Sequence, residues 1–374
     1  MAKVTKIRTG KLPLGDIRRL INKKSGREIA HNLEDENPTD VKEWIPTGSH
    51  WLDSIICKGK LAGIPVGKVT EIAGLEATGK SFMAAQIAAN AQKMGIDVAY
   101  FDSESAIDSE FLRNSGCDLS KLIYLQAESV EFVLETIEEL LSTDNKWLFI
   151  WDSLALTPSV SDIEGDFNPQ SSMAVKPRIL SKGMSKLTVP IANKQATFVV
   201  LNQLKTNITR IPAEAMVTPW VTPGGKAMHY AYSLRVWLTG RKAKASYVLD
   251  ENGFRVGSEV KVKLEKSRFG TSGRHCNFKI LWGNTDIVGI QDEESWLEAI
   301  QISDRFKQSG AWFTLVMNDR SEQRFQRKGW IEKLQNEKFK ESVLSIIDED
   351  VIKKFKNREG NAADFYEPEP VPEE

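Results

Sequence analysis

The chain has 374 residues, a formal net charge of −1, 41% hydrophobic residues and 27% charged ones. That balance excludes wholesale disorder and permits a well-filled core, and the length suits one principal domain with smaller flanking pieces. Near-neutral charge neither points to nucleic acid nor excludes it, but the charge is unevenly spread: residues 1–30 carry nine Lys/Arg against Asp16 and Glu28, while 359–374 carry six acids and no base.

Taken in chain order, residues 12–30 hold a short helical pattern with Leu14, Ile17, Leu20 and Ile21 on one side, and residues 1–40 read as a basic arm followed by a polar linker containing Pro38. The opening MAKVTKIRTGKLP has no apolar core of a signal peptide, and no run approaches the roughly 18 apolar residues of a membrane span. From 41 to 285 short apolar strands alternate with helical runs. Lys68–Ala73, Asp97–Asp102, Trp147–Asp152 and Ala196–Asn202 read as strands, and Ser81–Met94, Val130–Ser142 and Gly183–Asn193 as helices. This rhythm predicts an α/β fold with a mostly parallel central sheet flanked by helices. Leu234–Thr239, Glu259–Glu265 and Asn277–Trp282 follow without long helices and predict added antiparallel strands. From Glu293 the pattern reads as helical and basic, giving a small C-terminal domain over 286–358 and an acidic, disordered tail over 359–374. Cys57, Cys117 and Cys276 are odd in number and far apart, which fits a soluble protein of a reducing cytosol better than a disulfide framework.

The strongest chemical signal is Gly74-Leu75-Glu76-Ala77-Thr78-Gly79-Lys80-Ser81, a full GxxxxGK[ST] match after the strand KVTEIA and before a helix. Glycines let the backbone wrap so that successive N–H groups face phosphates. Lys80 is positioned for the β/γ oxygens and Ser81 for Mg²⁺, so ATP and Mg²⁺ are the expected ligands. Asp152 closes the apolar strand Trp147–Asp152 and is the expected second Mg²⁺ ligand, with Ser153 beside it. The strand ending in Asp102-Ser103-Glu104 brings two carboxylates to the same edge. Spacing does not choose between them, although Asp102 alternatively caps a helix; Glu104 is the candidate general base. Asn202 and Gln203 arrive at that edge on another strand, where an amide can sense a γ-phosphate.

These residues resemble the RecA/UvsX recombinases. PTGSHWLD (46–53), GKVTEIAGLEATGKS (67–81), YFDSESAIDSEFLRNSGCD (100–118), WDSLALTP (151–158), IEGD (163–166), VVLNQLK (199–205), TPGGKAMHYAYS (222–233) and SEVKVKLEKSR (258–268) follow the family text in order across roughly 40–285. The resemblance implies a RecA-type ATPase core and makes Glu104 the catalytic glutamate. It makes Gln203 the link from γ-phosphate to DNA loop, and Asp108 and Phe111 the adenine contacts. Lys266 and Arg268 become basic groups that reach a neighbouring subunit's phosphates; the family commonly has Lys at the second position. It further implies that the N-terminal helix docks on the adjacent subunit.

Two DNA loops are expected. Ser161–Pro177 resembles the first and offers Met173 as a wedge and Arg178 as a phosphate contact, with Pro177 and a one-residue shift blurring the register. Lys205–Pro223 resembles the second and looks longer than usual, an irregular segment with Lys205, Arg210, Met216 and Trp220 that ends at Gly224-Gly225. Arg320, Arg324, Arg327 and Lys328, interleaved with Phe325 and Trp330, read either as a duplex-DNA contact or as a solvated helix face. The implied function is an ATP-dependent recombinase that coats single-stranded DNA as a filament and exchanges strands with a homologous duplex. Its partners would be DNA, further copies of itself, and single-strand-binding and loader proteins; its setting would be the cytoplasm, in the nucleoid or in a host cell if phage-encoded. The short N-terminal region and altered loops lean towards a phage enzyme. Other readings are a hexameric RecA-fold helicase, against which the 222–233 and 263–268 text speaks, and an ATP-clamped assembly factor, against which Glu104 speaks.

Overall fold

The computed structural model describes residues 12–351 apart from 27, 35–39, 58–60, 106, 166–173, 209–215, 217, 241–245, 271 and 283–287. The first helix, α1 (Leu14–Ser25), ends at Gly26 with φ of 66°, and Asn22 Oδ1 then accepts from the N–H groups of Ile29 and Ala30. None of its residues is buried. The chain continues through β1 (Trp44–Ile45), α2 (His50–Ile56), β2 (Ile64–Pro65), β3 (Val69–Gly74), α3 (Lys80–Lys93), β4 (Asp97–Asp102), α4 (Ser109–Asn114), β5 (Leu122–Gln126), α5 (Val130–Leu140) and β6 (Trp147–Asp152). After these come α6 (Val160–Glu164), α7 (Val175–Asn193), β7 (Thr197–Gln203), β8 (Lys205–Thr206), β9 (Trp220–Val221), α8 (Gly225–Ala231), β10 (Leu234–Gly240), β11 (Tyr247–Leu249), β12 (Arg255–Ser267), β13 (His275–Leu281) and β14 (Gly289–Gln291).

The strands form one ten-stranded sheet in the order β14-β13-β12-β10-β3-β7-β6-β4-β5, with β11 beside β12. The run from β10 to β5 is parallel, and β11 to β14 are antiparallel additions, as the alternation of strand and helix text predicts. Every residue of β3 and β6 is buried, the mark of parallel strands covered on both faces. Successive side chains take opposite faces. Val98 and Tyr100, Leu148 and Ile150, Val199 and Leu201 pack with α2 and α3 on one side. Ala99 and Phe101, Phe149 and Trp151, Phe198 and Val200 pack with α5 and α7 on the other.

The C-terminal unit corrects the helical reading. It contains α9 (Glu293–Ala299), then three antiparallel strands, β15 (Phe306–Ser309), β16 (Trp312–Val316) and β17 (Glu322–Gln326), then α10 (Trp330–Leu334) and α11 (Glu337–Ile346). The physical reason is period-2 burial over short strands: Phe313, Leu315 and Phe325 point inward while Trp312, Arg324 and Gln326 do not. Phe325 and Trp330 are core residues, and Arg320, Arg324, Arg327 and Lys328 fall on a turn, a strand and a 3-10 turn, so of the two readings the shared helix face does not hold; the Arg324 guanidinium lies 4.7 Å from the ring centroid of Trp312. Phe306, Phe313, Phe325, Trp330 and Phe339 form a chain of ring contacts at 5.4–5.7 Å. Asp292 joins this unit to α2 by accepting from Ser49 Oγ and Trp51 N, both at 3.0 Å.

Phe325→Ala should cost about 3–5 kcal/mol in denaturant unfolding, the range for emptying an aromatic core site, while Gln326→Ala should stay within about 0.5 kcal/mol. Equal effects at the two positions would contradict the strand register.

Candidate nucleotide site and nucleic-acid loops

Register brings the chemistry of four strands to one edge. Asp102 of β4 pairs with Asp152 of β6, and Gly74 of β3 pairs with Gln203 of β7. All four lie at carboxyl ends of parallel strands, where ligand crevices of α/β sheets form. Between β3 and α3, residues 74–79 make the expected tight loop. Ala77 and Gly79 have φ of 54° and 81°. A Cβ on Gly74 would stand 2.5 Å from Thr78 Oγ1 and 2.9 Å from the Leu238 carbonyl, so this backbone accepts no side chain there. Lys80 opens α3 and turns back over the loop, its Nζ donating to the carbonyl of Leu75 at 3.0 Å. Burial pushes its pKa down, opposed by Asp152, Glu104 and Glu76.

Ser81 Oγ donates to Asp152 Oδ2 at 2.8 Å, and Tyr100 OH donates to the same oxygen at 2.8 Å. Burial raises the Asp152 pKa; the two hydroxyls lower it, and Glu104 and Asp102 raise it. The cradle fits a nucleoside triphosphate with Mg²⁺. A serine hydroxyl and a carboxylate side by side are the hard oxygen donors Mg²⁺ takes when phosphates supply the rest. Among the described residues no cluster of three or more His, Cys, Asp or Glu offers an all-protein metal cage.

The two carboxylates, Asp102 at the end of β4 and Glu104 two residues beyond it, differ in geometry. Asp102 is buried and fully engaged: Oδ1 accepts from Glu104 N and Ser105 N, and Oδ2 from Ile107 N and Tyr124 OH, all within 3.1 Å. It builds the turn. Glu104 is exposed and touches Ser153 Oγ, which donates to Oε1 at 3.1 Å, one residue beyond Asp152. The Asp152–Ser153 peptide is cis. Asp108 caps α4, accepting from Phe111 N at 2.6 Å, and the Phe111 ring meets Phe82 edge-on at 4.8 Å.

Sequence reasoning missed three contributors. Tyr100 lies two residues before Asp102 on the same strand face, a period-2 signal that could have found it. Ser103 Oγ accepts from Ser153 N at 2.9 Å and so fixes the turn after Asp152. Trp282, after β13, completes an aromatic wall with Phe82 at 6.3 Å, and nothing local in the sequence brings it there.

Lys266 and Arg268 sit elsewhere. Lys266 of β12 opposes Arg235 of β10, which opposes Glu71, three residues upstream of Gly74. That is about 10 Å along the strand, on the side away from the cradle. Lys266 Nζ donates to the carbonyl of His229 and Arg268 to that of Tyr230, both at 2.7 Å. Burial lowers the Lys266 pKa, with Arg268 and Arg235 adding to the fall.

Of the loop residues, Met173 and Arg210 lie outside the described residues. Arg178 is exposed on the first turns of α7, its Nε donating to Ala174 O. The second loop is less irregular than expected, because Lys205–Thr206 pairs with Trp220–Val221 as a short ladder at its base. Met216 is exposed. Gly224 and Gly225, with φ of 109° and 76°, turn the chain from this loop into α8. Beneath the loop lies a buried network. Glu71 and Arg235 form an ion pair at 2.6 Å, Asn202 Nδ2 donates to Glu71 Oε1 and to Pro223 O at 3.0 Å, and Arg235 donates to Thr222 Oγ1 at 3.0 Å.

A family model for the RecA N-terminal domain matches residues 14–287. The chain belongs to the RecA family. Protein RecA of Bifidobacterium breve is 31% identical over 294 residues, covering 79% of this chain and 70% of that one. Protein RecA of Saccharopolyspora erythraea is 30% identical over 294 residues, with 79% and 80% covered. Protein RecA of Fusobacterium nucleatum is 30% identical over 296 residues, with 79% and 73% covered. At the level of the family, this is a DNA recombination and repair protein that binds ATP and DNA. Among the described residues no helix is long and apolar enough to cross a membrane.

Gly74→Ala should abolish ATP binding in titration calorimetry while the fold persists by circular dichroism, because the added methyl displaces Thr78 or the Leu238 backbone. Retained ATP affinity would mean the phosphates bind outside this loop.

Proposed function

We propose that the chain is an ATP-dependent recombinase that polymerises on single-stranded DNA, pairs it with a homologous duplex and exchanges strands, hydrolysing ATP between subunits. The observation that carries this reading is the distance of Lys266 and Arg268 from their own cradle. In one subunit the cradle, Ser81–Asp152 and Glu104 gather at one strand edge, whereas Lys266 and Arg268 lie lower on the sheet and donate to the carbonyls of His229 and Tyr230, bonds they would exchange for a neighbour's phosphates. The α1 helix agrees: Leu14, Leu20 and Ile21 are exposed on it, and an apolar stripe of this kind is covered when a second copy docks.

In the proposed reaction the loop amides and Lys80 hold the triphosphate, and Ser81 and Asp152 hold Mg²⁺. When bound, Mg²⁺ neutralises phosphate charge and orients the phosphoryl oxygens. Glu104 takes a proton from water, whose oxygen bonds to the γ-phosphorus. The bond to the β–γ bridging oxygen breaks, and ADP leaves with the electron pair. Asp102, already accepting four hydrogen bonds, is no rival base. Gln203, beside Gly74 in register and one residue from Asn202, would carry the state of the γ-phosphate to the loop that ends at Pro223. Lys205, Arg178, Gly224 and Gly225 are then the described DNA contacts, through phosphate charge and close backbone approach. Single-strand-binding and loader proteins are the further partners, and the cytoplasm, in the nucleoid or an infected host, is the setting.

Glu104→Gln should keep ATP affinity and lower DNA-stimulated hydrolysis by about 10²–10⁴-fold, the usual worth of a general base. Loss of nucleotide binding in that variant would make Glu104 structural.

The neighbour's role is tested by mixing. Lys266→Ala/Arg268→Ala and Lys80→Ala should each be nearly inactive on single-stranded DNA, since charge supplied in trans is worth about 10³–10⁵-fold. Mixed, they should recover part of the activity, because one interface then joins an intact P-loop to an intact basic pair. No recovery at any ratio, with co-assembly shown by sedimentation, would sink the trans arrangement.

A further inference from the structure

The turn after Asp152 exposes a bowl of main-chain carbonyls. Thr157 Oγ1 takes that of Ser153 at 2.9 Å, but those of Leu154, Ala155 and Thr157 converge on one side chain. Lys176 Nζ donates to them at 2.7, 3.3 and 2.6 Å. An ammonium has three protons, and here each finds a carbonyl. Lys176 comes from the first turn of α7, at the far end of the 158–174 segment, so its three bonds close that segment at the base. A cation in a first helical turn opposes the helix dipole, so the local helix gives no reason for a lysine at this position. The bowl does.

The same knot reaches the second loop. A Cβ on Gly224 would stand 3.5 Å from Leu154 Cδ2, and one on Gly225 would stand 3.5 Å from Pro177 Cβ. The start of α8 therefore packs against both sides of the Lys176 clamp. Leu154 N also donates to Leu201 O at 3.1 Å, tying the turn to β7 just before Asn202 and Gln203.

We propose that Lys176 is a positioning residue for the DNA response: its ammonium locks the feet of the first loop to the turn behind Asp152 and to the start of α8, so that DNA on the loops and nucleotide at the cradle act on each other through this clamp. This rests on reading the two loops as the DNA-binding loops. Burial pushes the Lys176 pKa down to about 8; Asp162 of α6 opposes the fall and Lys205 of β8 adds to it. A neutral amine has only two protons for three carbonyls, so the clamp is complete below that pH and incomplete above it.

The test compares full-length wild type, Lys176→Met and Lys176→Arg in ATP hydrolysis with oligodeoxythymidine, from about pH 6.5 to about 9.5. At neutral pH the methionine variant should need about tenfold more DNA for half-maximal stimulation, the scale of losing charge-assisted hydrogen bonds. Its ATP affinity without DNA should change by less than about twofold. Wild type should lose DNA response as pH rises through the Lys176 transition, whereas the arginine variant, which stays charged, should keep it across the range. A methionine variant with wild-type DNA response overturns the proposal. So does a wild type and arginine variant with the same pH profile, or a methionine variant that loses ATP binding and thermal stability together. A wild type that DNA never stimulates would sink the reading of the loops itself, an outcome distinct from a DNA-stimulated enzyme indifferent to residue 176.

Discussion

The Glu71–Arg235 ion pair is the constraint around which the functional edge is organised. Glu71 is fully buried in the middle of β3, and a charge there is tolerated only because Arg235 and Asn202 satisfy it. Removing either charge would leave its partner unpaired in the sheet, typically a loss of about 3–5 kcal/mol. The pair also fixes geometry. It sets β3 against β10, holds the Asn202 side chain of β7 against Glu71, and through Thr222 and Pro223 anchors the end of the loop that returns to α8. One buried charge thus joins the strand that feeds the P-loop to the loop read as a DNA contact.

Rigid attachment at these points matters because the site is assembled from strand ends. Asp152, Glu104 and Ser81 come from three separate elements, and their mutual distances are fixed by sheet register and by Ser103, Ser153 and Tyr100. Such a frame holds the Ser81 and Asp152 oxygens and the Glu104 carboxylate in place before any ligand arrives.

How much could be read from the sequence follows from locality. The P-loop was legible because its eight residues are contiguous and each has a local mechanical reason. The parallel strands were legible because burial on both faces leaves unbroken apolar runs. Glu71–Arg235 was not, since its partners are separated by 164 positions and neither residue is unusual alone. Asp102 and Glu104 could not be told apart by spacing; the four hydrogen bonds to Asp102 separate them, three from the turn after β4 and one from Tyr124 of β5, and only folding creates those bonds. The C-terminal strands were misread because Arg320, Arg324, Arg327 and Lys328 drew attention to charge, whereas Phe313, Leu315 and Phe325 carried the alternating pattern.

The family match stops at residue 287, but the buried cluster does not. Trp296, Trp330, Phe339, Val343 and Ile347 belong to the same continuous core as Leu52, Ile55, Met83 and Ile87 of α2 and α3. The end of that match is therefore not a boundary of folding. A chain ended at 287 would keep every residue of the nucleotide cradle and lose the apolar layer beneath α2, with Ser49 and Trp51 deprived of Asp292. Nucleotide chemistry in this molecule is mechanically insured by a segment that the family signature does not include.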